Sequence, residues 1–168
     1  MRRKDREMDL EFARMVLDKC EWAVLAVSGA DGAPCCVPVT IVRDGEDIYF
    51  HSALEGEKVD CLRRDGRVCL TAVGDTKVAT DKFTTEYESA VVHGTAAEVT
   101  EETEKIQALR LLCQRHVPAN MDRFEAEVQR SLWRTGVWKI HMDRVTGKRK
   151  KYGRDGKELK FGATEETT

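Results

Sequence analysis

The chain has 168 residues, 35% of them charged and 41% hydrophobic, with a formal net charge of −2. That length suits one domain that buries its own core without disulfide support. The near-balanced charge excludes a general electrostatic pull toward nucleic acid or anionic membrane, and no run nears the roughly 18 apolar residues that span a bilayer.

The N-terminal MRRKDREMDLEF starts basic but lacks the apolar stretch of a signal peptide, so the chain reads as cytoplasmic. Residues 9–20, DLEFARMVLDKC, set Leu10, Ala13, Val16 or Leu17, and Cys20 on one face, the spacing of an amphipathic helix. WAVLAVS (22–28) is a strand, GADGAP (29–34) a turn and CCVPVTIVR (35–43) a second strand. Pro38 has no N–H for a ladder, so it belongs at an edge, a bulge or a gap between strands. Asp44-Gly45 is a hairpin signal before the third strand, DIYFHS (47–52).

EKVDCLRRD (57–65) is a short helix and RVCLTAVG (67–74) a fourth strand, while the polar DTKVATDKFT (75–84) reads as a loop. YESAVVHGTAAEV (87–99) is a long fifth strand, with Gly94 at a bulge or sharp bend. Thr100 caps a helix carrying Ile106, Leu109 and Cys113. After a break at VPAN (117–120), a third long helix places Met121, Phe124, Val128 and Leu132 in register. GVWKIHMDRV (136–145) alternates Trp138, Ile140 and Met142 against polar residues, which is strand spacing. Strands at hairpin spacing, one sharply bent, predict a small antiparallel barrel with helices outside it. The domain runs over residues 1–146; residues 147–168 form a basic and then acidic tail, partly ordered. With only Tyr152 and Phe161 to stack bases, the tail gives no nucleic-acid platform.

The six cysteines, Cys20, Cys35, Cys36, Cys61, Cys69 and Cys113, form no C-x-x-C pair and no zinc spacing with histidine. They read as reduced, small buried hydrophobes. Adjacent Cys35 and Cys36 point to opposite faces of a strand and are poorly placed to bridge. No P-loop, dinucleotide G-x-G-x-x-G or Ser-His-Asp motif is present.

YFHSALEGEK (49–58) holds the most chemistry. A strand that ends in a polar loop and opens a helix leaves backbone N–H groups unpaired, and these with the helix dipole attract an anion. Ser52 adds a hydroxyl and Lys58 an ammonium in the first helical turn. A cation there is unfavourable unless something negative meets it. Glu57 argues the other way, and the same residues also make an ordinary strand-turn-helix joint with a solvated lysine.

The wider sequence resembles the FMN-binding split-barrel proteins of the pyridoxamine 5′-phosphate oxidase-like superfamily, nearest to the nitroimidazole-reductase-like branch. The resemblance is carried by MRRKDRE, DGAPCCVPVTIV, IYFHSALEGEKVDCLRRDGRVCL, FTTEYESAVVHGTAAEV and VTGK, in order along most of the chain. It implies an antiparallel Greek-key split barrel, mainly β with flanking helices, that forms a homodimer with FMN at the interface. Pro38, Val39 and Thr40 would then line the isoalloxazine and offer backbone groups to its polar edge. His51, Ser52 and Ala53 would pass the ring and ribityl chain, Lys58 would pair with the phosphate, and Tyr87 and Ser89 would close the phosphate side. Trp138 would approach the cofactor from the partner subunit.

Some relatives carry a basic residue where this chain has Glu88; with Ser89 turned to the ligand, Glu88 faces away from it. The chain lacks the Arg-rich, Pro-containing end that reads substrate phosphate in the true oxidases. The implied activity is an oxidoreductase that takes electrons from a reduced nicotinamide and reduces a small organic acceptor, such as a nitro compound, with His51 as the candidate proton donor. The alternatives are a non-catalytic flavin or haem binder, with His51 or His93 as the haem ligand, and a barrel holding a deazaflavin.

Overall fold

The computed structural model describes residues 2–161. The elements in chain order are β1 (Glu7–Met8), α1 (Leu10–Lys19), β2 (Ala23–Ser28), β3 (Pro34–Val39), β4 (Val42–Asp44), β5 (Asp47–Ser52), α2 (Glu57–Arg64), β6 (Arg67–Ala79), β7 (Thr84–Glu98), α3 (Glu102–His116), α4 (Phe124–Ser131) and β8 (Gly136–Lys150). The eight strands form one antiparallel sheet in the order β3-β2-β6-β7-β8-β5-β4, with β1 added to β8. Pro38 thus lies on an edge strand, opposite Val24, where its missing N–H costs no ladder bond.

Strands such as β2 and β7 bury alternate residues, whereas β5 buries Ile48, Tyr49 and Phe50 in a row because α3 also covers its outer face. Leu25, Leu70, Val92, Phe50, Trp138 and Ile140 fill the interior. The N-terminal helix lies against β6, β7 and β8, and its start is fixed by Asp9, whose carboxylate accepts from the Phe12 N–H at 2.8 Å. It buries Phe12, Ala13, Val16 and Leu17. Leu10, expected on that face, is 44% exposed, and Phe12 takes the place assigned to it. On the other side of the sheet, α3 covers Val42, Tyr49 and Val137 with Ala108 and Leu112. The remaining outer face carries a cross-strand row of Pro38, Val24, Thr71, Val91 and Thr146, with Val73 nearby at 50% exposure.

Several elements differ from expectation. Residues 75–79 are strand, not loop: β6 and β7 pair out to Ala79 and Thr84 across an irregularity between Val73 and Thr76. Most of this extension projects past the core, so its sequence shows no apolar alternation. The N-cap of α3 is Glu101, without a side-chain cap, and the helix buries Ala108 and Leu112 while Ile106, Leu109 and Cys113 stay half-buried. A 3-10 segment, Pro118–Arg123, shortens the following helix to eight residues. The boundary expected at residue 146 falls within β8. Beyond it, the Leu159 N–H donates to the Lys151 carbonyl and the Phe161 N–H to the Asp5 carbonyl, which ties this segment to the N-terminus. The acidic end of the tail lies outside the described residues. The six cysteines are free.

Glu88 turns inward, with Ala90 and Val92 of the same strand, and is only 7% exposed. Lys19 and Arg149 pair with it, so the buried carboxylate is compensated from both a helix and a strand. Gly94 sits where the β7–β8 register slips. A Cβ there would lie 2.2 Å from the His141 carbonyl oxygen. Gly94→Ala is therefore expected to cost about 3 kcal/mol, near the top of the usual overpacking range. A urea midpoint unchanged from the parent protein would show that the bulge relaxes freely.

Candidate functional site

The Phe50-His51-Ser52 end of β5 sits where three elements meet. His51 shares the outer face with Tyr49, and its ring opens into a cleft of about 600 Å³ between the sheet and the α3–α4 helices. Leu109, Leu112, Val117, Phe124 and Val128 make its apolar wall, and Thr40, Ser131 and Thr135 lie at its polar positions. Burial, the Lys58 ammonium and His116 together hold the His51 pKa below the ordinary histidine value. Its imidazole is thus neutral near pH 7, able to accept or donate one proton.

The strand break at residues 40–41 is fixed from α3. Arg115 donates to the carbonyls of Ile41 at 2.9 Å, Leu17 at 2.9 Å and Cys20 at 2.6 Å, and His116 Nε2 lies 2.8 Å from the same Ile41 oxygen. These bonds satisfy carbonyls at the end of α1 and hold Thr40 against the cleft. Neither residue stands out in the sequence; their only signal is a basic pair in the last turn of a helix, where cations are common anyway.

At the start of α2, Gly56 adopts φ +124°, a conformation that side chains rarely tolerate, and no side chain caps the helix. Ser52 Oγ donates to the Ala53 carbonyl at 2.7 Å. Lys58 is half-buried with its ammonium 5.6 Å from the Phe50 ring centroid, and burial lowers its pKa. Among the described residues it has no ion-pair or hydrogen-bond partner, in contrast to Lys19 beside Glu88.

The expected site residues divide between the two faces. Pro38, Thr40 and His51 lie on the outside, and Tyr87 and Ser89 alternate with the buried Glu88 and Ala90. Ala53 is exposed, while Val39 is 7% exposed with its side chain in the core, leaving only its backbone for a ligand. Trp138 is a correction. Its side chain is 2% exposed and stacks on Phe50 at 6.5 Å between centroids, so it packs the interior and reaches no surface. The pattern of Trp138, Ile140 and Met142 marked a shared face but not which face. Lys148 was missed: its ammonium lies 5.6 Å from the Tyr87 ring centroid, and it pairs with Ser89 across β7 and β8. His93 is exposed on the outer face, paired in register with Cys69 and Arg144 and apart from the cleft lining.

Ser52 and Ser89 register far apart along β8. Ser52 pairs with Gly136 at the start of β8, and Ser89 with Lys148, twelve residues further along it. At a strand rise of about 3.3 Å per residue that is roughly 40 Å of strand. Among the described residues, no helix is long and apolar enough to cross a membrane, and no His, Cys, Asp and Glu cluster suits a metal ion.

A sequence profile described as pyridoxamine 5′-phosphate oxidase matches residues 11–149. Among curated proteins no match is found. Three solved structures are similar. A Bacteroides thetaiotaomicron protein provisionally assigned to 5-nitroimidazole antibiotic resistance is 22% identical, with 85% of this chain and 86% of that one covered and a TM-score of 0.70. The flavocytochrome Anf3 from Azotobacter vinelandii is 18% identical over 95% of this chain and 81% of that one, with a TM-score of 0.71. The FAD and haem binding protein from Mycobacterium smegmatis is 18% identical over 95% and 77%, with a TM-score of 0.73. At these identities the likeness is one of fold, and the fold is the antiparallel split barrel with flanking helices.

Two histidines should titrate in opposite directions. His51 is depressed, so its stabilising neutral form is lost as pH falls from the unfolded value through the folded one. His141, raised by its bond to Asp47 at 2.9 Å, stabilises at low pH and loses that effect as pH rises through its folded value. NMR titration of the imidazole protons should place His51 below and His141 above the ordinary value. A His51 midpoint at or above it would contradict the environment described.

Proposed function

Because the chain belongs to the pyridoxamine 5′-phosphate oxidase family, we propose that it is an FMN-binding flavoprotein, a homodimeric oxidoreductase that reduces a small organic acceptor with electrons from a reduced nicotinamide. The observation that carries this reading is Lys58. Its half-buried ammonium meets the Phe50 ring but no anion among the described residues, and burial without a counter-charge is unfavourable. Here it lies in the first turn of an uncapped helix, where free backbone N–H groups favour the same anion. These are the donors a terminal phosphate takes.

In this arrangement Lys58 and the first turn of α2 hold the phosphate, and the Ser52 hydroxyl turns from the Ala53 carbonyl to join them. The backbone of Pro38, Val39 and Thr40 meets the polar edge of the ring, with Pro38 and Thr40 on the outer face. When bound, the flavin supplies a two-electron carrier between donor and acceptor. His51, neutral and open to the cleft, gives or takes the proton that accompanies the electrons. The roughly 40 Å of strand between Ser52 and Ser89 supports a site built from two chains, in which Tyr87, Ser89 and Lys148 come from the partner's outer face. The half-exposed outer-face row that includes Val24, Thr71 and Val91 gives such a partner an apolar surface to cover.

A specific observation also favours haem as a second reading. His51 is neutral and faces a largely apolar cleft, as a haem ligand does. Two similar structures are of a flavocytochrome and of a protein named for binding FAD and haem.

The visible spectrum of the purified protein separates the readings. The flavoprotein reading expects flavin bands, with FMN released on denaturation; a sharp Soret band without flavin would favour haem. Lys58→Ala should weaken FMN binding by about 1.5–3 kcal/mol, the scale of a charge-assisted hydrogen bond. An unchanged dissociation constant would return Lys58 to an ordinary surface role. Turnover of reduced nicotinamide with a panel of acceptors distinguishes an enzyme from a carrier, and activity should fall in His51→Gln.

A further inference from the structure

The residues that follow β8 carry an inference that rests on the flavoprotein reading. We propose that residues 151–161 are a clasp that holds the far end of the β6–β7 hairpin, and that Tyr152 and Glu158 are thereby positioning residues for Tyr87 and for retention of the flavin. The hairpin end needs holding. β8 pairs with β7 as far as Tyr87, which lies opposite Lys150. Past that point the sheet is a two-stranded ribbon, with Lys77 opposite Glu86, Val78 opposite Thr85 and Ala79 opposite Thr84. Such a ribbon is marginally stable in water. One side of it, with Asp75, Lys77 and Glu86, lines a small charged hollow, and Val78 and Phe83 stay exposed, so the ribbon draws little support from the core.

The chain after β8 supplies that support. It turns over residues 153–156 and comes back on itself. The Gly153 N–H donates to the Lys157 carbonyl at 2.8 Å, and Tyr152 faces Glu158 as a direct cross-strand neighbour. The two side chains grip different parts of the molecule. Tyr152 lies against the ribbon: its N–H donates to Glu86 Oε2 at 3.3 Å, and the Lys82 ammonium stands 5.2 Å from its ring centroid. The Lys150 ammonium stands 5.6 Å from the same centroid and also donates to Thr84 Oγ1. Glu158 lies against the N-terminal segment, accepting from Arg6 Nε at 2.6 Å, with the Lys160 ammonium at 3.3 Å.

Asp5 extends the grip, accepting from Arg3 Nε and from the Lys160 ammonium, each at 2.7 Å. Each carboxylate thus meets more than one cation, and their side chains are only 18% and 19% exposed, which sets them apart from an isolated surface pair. The Phe161 and Phe12 rings flank the Arg149 guanidinium at 5.2 and 5.6 Å. Tyr87 stands at the root of the ribbon, paired with Thr76 and with Lys150. In the flavoprotein reading Tyr87, Ser89 and Lys148 close the phosphate side. A clasp that quiets the ribbon holds these groups in their binding arrangement and lowers the ordering cost of taking up the cofactor.

The test uses the full chain with two readouts: amide hydrogen exchange over residues 77–86 in the protein without FMN, and the rate at which loaded protein releases FMN. Glu158→Lys cuts the clasp from the N-terminus and Tyr152→Ala cuts it from the ribbon. Each should speed exchange over residues 77–86 by at least about tenfold while the amides of β2 keep their protection. Each should also speed FMN release by at least about tenfold. Tyr152→Phe keeps the ring between the two lysines and should match the wild-type protein in both readouts. Unchanged exchange in Glu158→Lys and Tyr152→Ala would overturn the clasp. Faster exchange with unchanged FMN release would overturn the positioning role, and Tyr152→Phe behaving like Tyr152→Ala would overturn the part given to the ring. Exchange that rises through the whole sheet in both variants would make the segment a part of the core and overturn the proposal too. If the wild-type protein takes up no FMN, the flavoprotein reading fails, and the exchange measurement alone decides whether the clasp holds the ribbon.

Discussion

Successive side chains on a strand leave by opposite faces, and a sheet wrapped around a filled interior has only one face left for ligands. This constraint governs the molecule. Leu25, Leu70, Val92 and Ile140 occupy the inside, and Phe50 and Trp138 stack there. Everything available for binding is pushed to the outer surface or to the strand ends. Pro38, Thr40 and His51 are outside because their immediate neighbours are in the core. Glu88 is inside for the same reason that Ser89 is not. The helices then divide the outer face: α3 and α4 roof the β5 end and make a cleft, while the β2–β3–β6–β7 side stays open.

Much of this was legible locally. Asp44-Gly45, the period-two alternation and the joint at YFHSALEGEK are short-range signals, and the strand over 47–52 and the helix over 57–64 lie where they were expected. What the sequence concealed has a common physical cause. Alternation says which residues share a face but not whether that face is covered, so Trp138 was read as a ligand contact. The strand extension at 75–79 is held by backbone bonds beyond the core and carries no apolar rhythm. The face of α3 was misplaced because the helix meets a curved sheet at only a few positions. The cleft itself arises from the 3-10 segment and two helices folding over β5, a long-range event without a local signature.

The charges show the difference between structural and spare electrostatics. Lys19 and Arg149 neutralise Glu88 within the fold, and Arg115 is consumed by carbonyls. Lys58 differs in meeting the Phe50 ring but no anion among the described residues. Its depressed pKa records desolvation without compensation. Groups left in that state tend to mark places where something else binds.

The pairing of β1 with the far end of β8 has a consequence for how the protein is made. Glu7 and Met8 pair with Lys148 and Gly147, so the first strand has no ladder partner until nearly the whole chain exists. Contacts this distant along the chain close late and slow folding. During synthesis the long β6–β7 hairpin, with Val78 and Phe83 exposed even in the finished protein, is complete well before β8 arrives to pair with β7. For that interval β7 is an open edge, and the nascent chain depends on β8 following promptly to keep it from pairing with a neighbour.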